Sequence, residues 1–515
     1  MLGLSGEVAR YRSPCFQEAQ KKRAEEDPVS AVSHSSMSHS ASIRAQLSHP
    51  VIDSDGHSID LMHVLLDYMA QAGGVAMAQR YAEGKHNVNL GPGWYASSWD
   101  ERRANRTPRP GWWGLPTGNA RDLATAQLPR LLYERLPEAG LDVSVLFAGW
   151  TITDGMISDP DIRFAACRGA NIMHRDMYGE FSDRIIPVAV VPAHTPEEAI
   201  AELEYCVKVL GYRAITIPSF VRRPIRNRAA EFPQVFWCDT YGIDSEYDYD
   251  PLWAKCVELG VVPTFHSHGM NMFFRSSISN FTYNHIGHFS SAAEAVCKSL
   301  FMGGVTRRFP TLRFAFLEGG AGWAASLFAD LVGHWKKRNV GALAKLDPDL
   351  LDRGAYFELC RRYGDRWVDG KFAPDRPEDL LRTQMYSVRE DPSTLDEFEH
   401  LGITGIEEFH DLFLRSFSFG CEGDDPMTGV AFDPKRNPLN AKLNAVYGSD
   451  IGHFDVPEIA EALEEAYESV EYGRISEADF RDFVFANPVK LWTSVNPDFF
   501  KGTAVEAAVT AERRG

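Results

Sequence analysis

The sequence predicts an α/β fold of parallel strands. Three observations carry this: eight short apolar runs along the 515 residues, amphipathic helical stretches between them, and unusual polar residues gathered just after the runs. Eight such strand–helix units suggest a (β/α)8 barrel. A doubly wound open sheet produces much the same local pattern, and periodicity alone does not choose between the two.

The runs come in order. Val51-Ile52-Asp53 is the first, followed by Leu141–Ala148, Arg184–Pro192, Tyr212–Pro218, Val261–His266 and Leu312–Leu317. Phe417–Gly420 and Ala445–Tyr447 are weaker seventh and eighth candidates. Their near-continuous apolar character fits strands buried on both faces. The connections agree. Thr195-Pro196-Glu197-Glu198 offers an N-cap, a proline at the first helical position and a capping-box glutamate. Ile200, Leu203, Val207 and Leu210 then recur at helical spacing before Gly211, and Pro251–Leu259 followed by Gly260 repeats the arrangement. Two stretches interrupt the pattern, at about 58–140 and 324–440. Both follow expected strand ends, which makes them candidate lids over the active face. The organisation expected is therefore a flexible polar leader over 1–48, a barrel with these insertions over 49–500, and a tail over 501–515. Met37 is an alternative start, which would leave 1–36 outside the native protein.

Composition narrows the function. Hydrophobic residues at 44% and charged residues at 24% are ordinary for a globular chain, and a formal charge of −18 argues against binding nucleic acid or an anionic membrane surface. The eight cysteines are scattered without a C-x-x-C pair, so a cysteine-caged zinc is not expected and a reducing cytoplasm is. No apolar run approaches the roughly 20 residues of a spanning helix, and the N-terminus lacks the order of a secretory signal. A small-molecule substrate is the partner expected, with a homodimer through the second insertion as a further expectation.

The chemistry-bearing residues fall at the ends of the apolar runs. Asp53-Ser54-Asp55-Gly56-His57 ends the first, His266-Ser267-His268-Gly269 the fifth, Glu318-Gly319-Gly320 the sixth and Gly448-Ser449-Asp450 the eighth; Glu422-Gly423-Asp424-Asp425 follows the seventh. In a parallel barrel these ends share one face, where two carboxylates and two imidazoles can hold a divalent ion. Each motif alone has a plain structural reading, since Asp-Gly is common in turns and Gly-Ser-Asp is a frequent helix cap. Their coincidence at successive strand ends is what turns and caps do not require.

These motifs, with F-P-x-L-R-F-A-F-L-E-G-G at 309–320 and Y-G-S-D at 447–450, resemble the amidohydrolase-related family, the branch that includes the aminocarboxymuconate-semialdehyde and resorcylate decarboxylases. The resemblance implies a distorted TIM barrel with one divalent metal ion, zinc or manganese. It implies Asp55 and His57 as first-strand ligands, His266 as the fifth-strand ligand, and Asp450 as an eighth-strand aspartate that touches the metal and handles a proton. Asp53, two residues before Asp55 on the same strand face, competes with it for that role. One position departs from the pattern. Decarboxylating relatives commonly carry a histidine where this chain has Glu318, so direct transfer of their mechanism is in doubt. His268 is a candidate to take that place, since residues i and i+2 of a strand share a face.

Arg275, Asn284, His285 and His288 after the fifth strand read as substrate contacts or as helix capping with surface imidazoles. Arg222, Arg223 and Arg226 after the fourth read as a receptor for an anionic group or as a solvated basic loop. His453 and Asp455 stand where they would orient Asp450. The leading reading is a hydrolase in which metal-activated water attacks a small organic substrate, with Asp450, Glu318 and His268 catalytic. The alternative is a non-oxidative decarboxylase of an aromatic or unsaturated acid. A non-catalytic metal-binding protein is the third.

Overall fold

In the computed structural model the described residues are 37–84, 94–95, 97–110, 118–228, 230–232, 235–267, 269–272, 274–368, 370, 391, 394–453 and 456–514. The strands are β1 (Ile52–Ser58), β2 (Val143–Ala148), β3 (Ile185–Val190), β4 (Ala214–Ile217), β5 (Val221–Pro224), β6 (Phe236–Asp239), β7 (Pro263–Phe265), β8 (Phe314–Phe316), β9 (Phe417–Glu422) and β10 (Ala445–Gly448). Eight of them pair in parallel in the order β1-β2-β3-β4-β7-β8-β9-β10. The ring closes just beyond β10, where the Asp450 N–H donates to the Asp55 carbonyl (3.0 Å) and the His57 N–H to the Ile451 carbonyl (2.8 Å). This settles the choice that periodicity left open: the sheet is a nearly closed barrel. All eight apolar runs became its strands.

The strands hold because almost every side chain on them is buried, on both faces. Phe265 and Phe316 stack with ring centroids 5.5 Å apart, and Phe316 lies 5.5 Å from Phe417. Each such fully buried phenylalanine contributes about 1.5–3 kcal/mol relative to exposure. The helix expected after β3 runs Pro196–Glu204, and Thr195 Oγ accepts the Glu198 N–H at 3.2 Å. The Glu198 carboxylate does not close a capping box on Thr195. It reaches one residue further, to the His194 N–H at 3.1 Å, and pairs with Arg163.

The structure corrects several boundaries. Residues 37–48 are not a loose leader: His39–Gln46 is a helix whose Ile43 enters the core, while Ser40 Oγ accepts the Glu464 N–H and Arg44 pairs with Asp142. Residues 1–36 lie outside the described residues. The end of the chain is likewise docked, with helix Glu506–Glu512, Val505 and Val509 in the core, and the Ala504 N–H bonded to the Asp183 carbonyl. Both segments carry too few apolar residues for a period to show. The antiparallel hairpin of β5 and β6 was not expected at all. The stretch from 324 opens with an ordinary barrel helix, Gly322–Arg338, so the second insertion begins after it.

The first insertion lies on the C-terminal side of the strands. Trp94 donates its indole N–H to the Ile278 carbonyl (3.0 Å) and is covered by Arg102, whose guanidinium is 3.7 Å from the ring centroid. The Arg109 N–H donates to the Ser277 carbonyl. Trp99 is half exposed, and Trp112 and Trp113 lie outside the described residues.

Candidate metal centre

The centre begins with how D-S-D-G-H folds. β1 continues past Asp53 through a register shift before Gly56, so the two aspartates take different roles. Asp53 is fully buried and saturated. Its Oδ1 accepts the N–H groups of Asp55 (3.1 Å) and Ser449 (2.9 Å), and its Oδ2 accepts the hydroxyls of Ser144 (2.6 Å) and Ser449 (2.8 Å). It ties β1 to β2 and to the turn after β10 and is no competitor for a ligand role. A side chain at Gly56 would come within 2.5 Å of Asp53 Oδ2 and Ser144 Oγ, and one at Gly448 within 2.7 Å of the Asp55 Cβ. Glycine at both places lets β1, β2 and β10 close round the aspartates.

Asp55 and His57 then meet groups from three other strand ends. His57 Nε2 is 3.5 Å from Asp55 Oδ1, 3.5 Å from Glu318 Oε2 and 3.4 Å from Asp450 Oδ1. His266 Nε2 is 3.2 Å from Asp55 Oδ1 and 2.9 Å from Glu318 Oε2. His453, from the turn after β10, stands 2.6 Å from Asp450 Oδ1 through Nδ1, and its ring stacks on His57 with centroids 3.9 Å apart. Ligand atoms of Asp55, His57, His266 and Glu318 lie within 4.8 Å of one another, as do those of His57, Glu318, Asp450 and His453. The expected residues Asp55, His57, His266 and Asp450 are therefore brought together, and Glu318 belongs to both groupings.

A divalent cation fits this donor set. Asp55 Oδ1, His57 Nε2, His266 Nε2 and Glu318 Oε2 are buried atoms without a hydrogen bond, all facing the same small volume. Leaving several such polar atoms unpaired costs a few kcal/mol each unless something enters between them. The electrostatics agree. Burial raises the Glu318 carboxyl, but the imidazoles of His453, His266 and His57 outweigh it and hold it well below the usual carboxylate range. Burial opposes a charge on His266, yet Asp55 and Glu318 lift its imidazole well above the ordinary value. Burial and the adjacent His57 push His453 down to about 3, so it is the neutral member. Carboxylates kept ionised beside imidazoles that hold protons for want of another cation are what a metal ion replaces.

Glu318 and Asp450 both adopt left-handed backbone, at φ 54° and 49°. Non-glycine residues seldom accept this conformation unless the surroundings impose it. Here both are turned back over the barrel mouth.

The remaining candidates divide. His285 and His288 line, with Glu318, Glu422, Asp424 and Asp425, a cleft of about 410 Å³. Asn284 is buried and occupied: its Oδ1 accepts the Ser277 N–H, and its Nδ2 donates to the carbonyls of Arg109 and Ser277. Its geometry is that of a clasp between the first insertion and the loop after β7 and leaves nothing for a substrate. Arg275 donates through Nε to the Ile286 carbonyl in the same loop. Arg223 is buried on Asp239, Tyr249 and the His194 carbonyl, and Arg226 is exposed on Glu246. Neither is a free receptor. His268 and Asp455 lie outside the described residues. Sequence reasoning gave His453 only an orienting part; its place three residues after Asp450 in a tight turn was the available signal.

Residues 140–348 match the amidohydrolase family. The matched stretch carries His266 and Glu318. Asp55, His57 and Asp450 lie on either side of it and are joined to it by the barrel. Among solved structures, an amidohydrolase from Mycobacterium avium subsp. paratuberculosis K-10 is 16% identical, covering 87% of this chain and 100% of its own, with a TM-score of 0.50, a likeness of fold. A 2,6-dihydroxybenzoate decarboxylase from Rhizobium is 14% identical, covering 86% of this chain and 99% of its own, at a TM-score of 0.45. A 5-carboxyvanillate decarboxylase from Novosphingobium aromaticivorans, solved with bound manganese, is 15% identical, covering 87% and 97%, also at 0.45. The two decarboxylase likenesses are looser and decide nothing about the reaction. In a barrel of this kind the mouth, where the candidate centre lies, is the place for chemistry. Among the described residues no helix is long and apolar enough to cross a membrane.

Proposed function

We propose that Asp55, His57, His266, Asp450 and Glu318 hold one divalent cation, zinc or manganese, and that the enzyme hydrolyses a neutral carbonyl group of a small organic substrate. The observation that carries this reading is the third carboxylate. Asp55, Glu318 and Asp450 together bring three carboxylates to the mouth, one more than a divalent ion neutralises when all are ionised. A second anion placed against the ion would meet net repulsion, whereas an amide, ester or lactone carbonyl would not.

When bound, the cation supplies polarisation of a carbonyl and acidification of water. The chain's own part is proton handling. Asp450 takes the proton of the attacking water, and His453, 2.6 Å from its Oδ1, fixes that carboxylate in place. Glu318, held by the left-handed turn after β8, directs its free carboxylate oxygen into the same volume. The seven described cysteines are all free and mostly buried, which supports residence in a reducing cytoplasm.

A second reading, loss of carbon dioxide from an aromatic or unsaturated acid, is favoured by one observation: His285 and His288 stand beside Glu318 in the cleft and can offer imidazole N–H donors to a carboxylate. A panel of amides, esters and lactones run beside carboxylated phenols separates the two. Turnover in the first set without evolved carbon dioxide in the second is expected; the reverse would overturn hydrolysis.

A further inference from the structure

The cleft beside the metal centre is walled by carboxylates. It holds about 410 Å³, a size that takes a small molecule. Glu318 belongs to both places: it lines the cleft, its side chain is 4% exposed, and its Oε2 is buried without a hydrogen bond. From there the wall continues past the end of β9 with Glu422, Asp424 and Asp425. The helices after β7 contribute His285, His288 and Phe289. Among the described residues no lysine or arginine lines the cleft. Arg275 approaches only Gly287 at its edge, and its Nε donates to the Ile286 carbonyl.

The acidic wall is held in place. Asp425 Oδ1 accepts the Met427 N–H at 2.8 Å, and its Oδ2 lies within 2.5 Å of where a Cβ on Gly320 would stand. Glycine at 320, left-handed at φ 71°, is what lets Asp425 reach the turn that carries Glu318. Neither Asp424 nor Asp425 has an ion pair among the described residues. Burial and the charge of Asp424 raise the Asp425 carboxyl. Glu465, whose helix Ala462–Glu471 packs on Gly423, is pushed up to about 7 by burial and by Asp424. Elsewhere the chain answers a buried carboxylate with its own cation: Arg168 meets Glu202, Arg223 meets Asp239 and Arg135 meets Asp122. Here it does not, and neighbouring like charges disfavour one another.

A second metal ion does not match this wall. Among the described residues Glu422, Asp424 and Asp425 belong to no group of ligand atoms that converges within 4.8 Å. Carboxylates spread along a wall suit a larger cation with several N–H donors. The Phe289 ring, with centroids 5.1 Å from His266 and 4.0 Å from His288, adds an aromatic surface of the kind that attracts such a cation.

We propose that this cleft receives a cationic group of the substrate, an alkylammonium or guanidinium, and hence that the substrate is an amide, ester or lactone carrying a positive charge apart from its carbonyl. The proposal rests on the hydrolytic reading of the same mouth and names the substrate class within it: the carbonyl goes to the metal centre and the charged end to Glu422, Asp424 and Asp425.

The test is calorimetric titration of the full-length, zinc-loaded protein with three compounds that share one body: 4-(aminomethyl)benzamide, 4-(hydroxymethyl)benzamide and 4-carbamoylbenzoate. The cation is expected to bind about 10-fold more tightly than the neutral compound, and the anion most weakly. Added salt should narrow the preference. Asp424→Asn/Asp425→Asn should bring the cation to the affinity of the neutral compound with the melting temperature near wild type, since asparagine keeps an oxygen for the Met427 N–H. Asp424→Asn alone, at an exposed position, should lose part of the preference. Glu399→Gln/Asp411→Asn, which removes the same charge from exposed sites outside the cleft, should keep all of it. Three results would overturn the proposal: a cation that binds no better than the neutral compound, a preference unchanged in both cleft variants, or a preference lost equally in Glu399→Gln/Asp411→Asn. Failure of the hydrolytic reading appears separately, as carbon dioxide release from carboxylated phenols or no turnover on the amide, ester and lactone panel.

Discussion

Two buried groups of acid and imidazole sit close together in this molecule, and their hydrogen bonds tell them apart. In one, Asp60 Oδ1 meets His174 Nε2 at 2.6 Å while its Oδ2 accepts the N–H groups of Trp150 (3.0 Å) and Thr151 (2.9 Å). In the other, three residues earlier on the chain, His57 shares a small volume with Asp55, His266, Glu318 and Asp450, and four of the facing atoms have no hydrogen bond. The residue types are the same and burial is nearly complete in both. Saturation marks a structural clamp that holds β1 to the turn after β2. Convergence without saturation marks a place built for something else. Asp53 and Asp55 repeat the contrast two residues apart.

The largest effect that would sharpen this contrast lies in turnover. Asp450→Asn and Glu318→Gln should each lower kcat by roughly 10²- to 10⁴-fold while the melting temperature stays near wild type; unchanged turnover in either would remove that residue from the mechanism. The clamp should answer in the opposite way. His174→Ala, which leaves the Asp60 charge buried without its partner, should cost about 3–5 kcal/mol of unfolding free energy in urea with metal content unaltered. Loss of metal in that variant would break the distinction between the two groups. Asp53→Ala, which orphans the hydrogen-bond donors of Ser144 and Ser449, should cost about 1–3 kcal/mol, again with metal retained.

The smallest effect is in pH. Burial raises the Asp60 carboxyl, but His174 and the Thr151 N–H outweigh it and leave it below the ordinary carboxylate value. A depressed carboxyl contributes stability that is present above its unfolded pKa and lost as pH falls through its folded one. The stability gap between wild type and Asp60→Asn should therefore be widest at neutral pH and narrow on acidification below roughly pH 4. A gap that widens with acid would contradict the assignment of Asp60 as an ionised clamp.

Much of this was legible from residue order. The eight runs became the eight barrel strands because strands buried on both faces must be apolar throughout, and the ligand candidates were visible because polar residues directly after such runs have few other reasons to recur. What was hidden depended on contacts distant in sequence. The saturation of Asp53 comes from Ser144 and Ser449, far along the chain. The clasp made by Asn284 depends on Arg109 and Ser277. The β5–β6 hairpin is short and polar on one side, with Arg222 and Arg223 adjacent in sequence and opposite in environment. Arg223 pairs with Asp239 and Arg222 lies beside the Phe236 ring, and no local pattern reports which face is which.

The most direct test of the central claim is metal content by elemental analysis on three proteins purified alike: wild type, His266→Ala and His174→Ala. About one equivalent of a divalent metal is expected in wild type and in His174→Ala, and little or none in His266→Ala. Equal metal in wild type and His266→Ala would contradict the account.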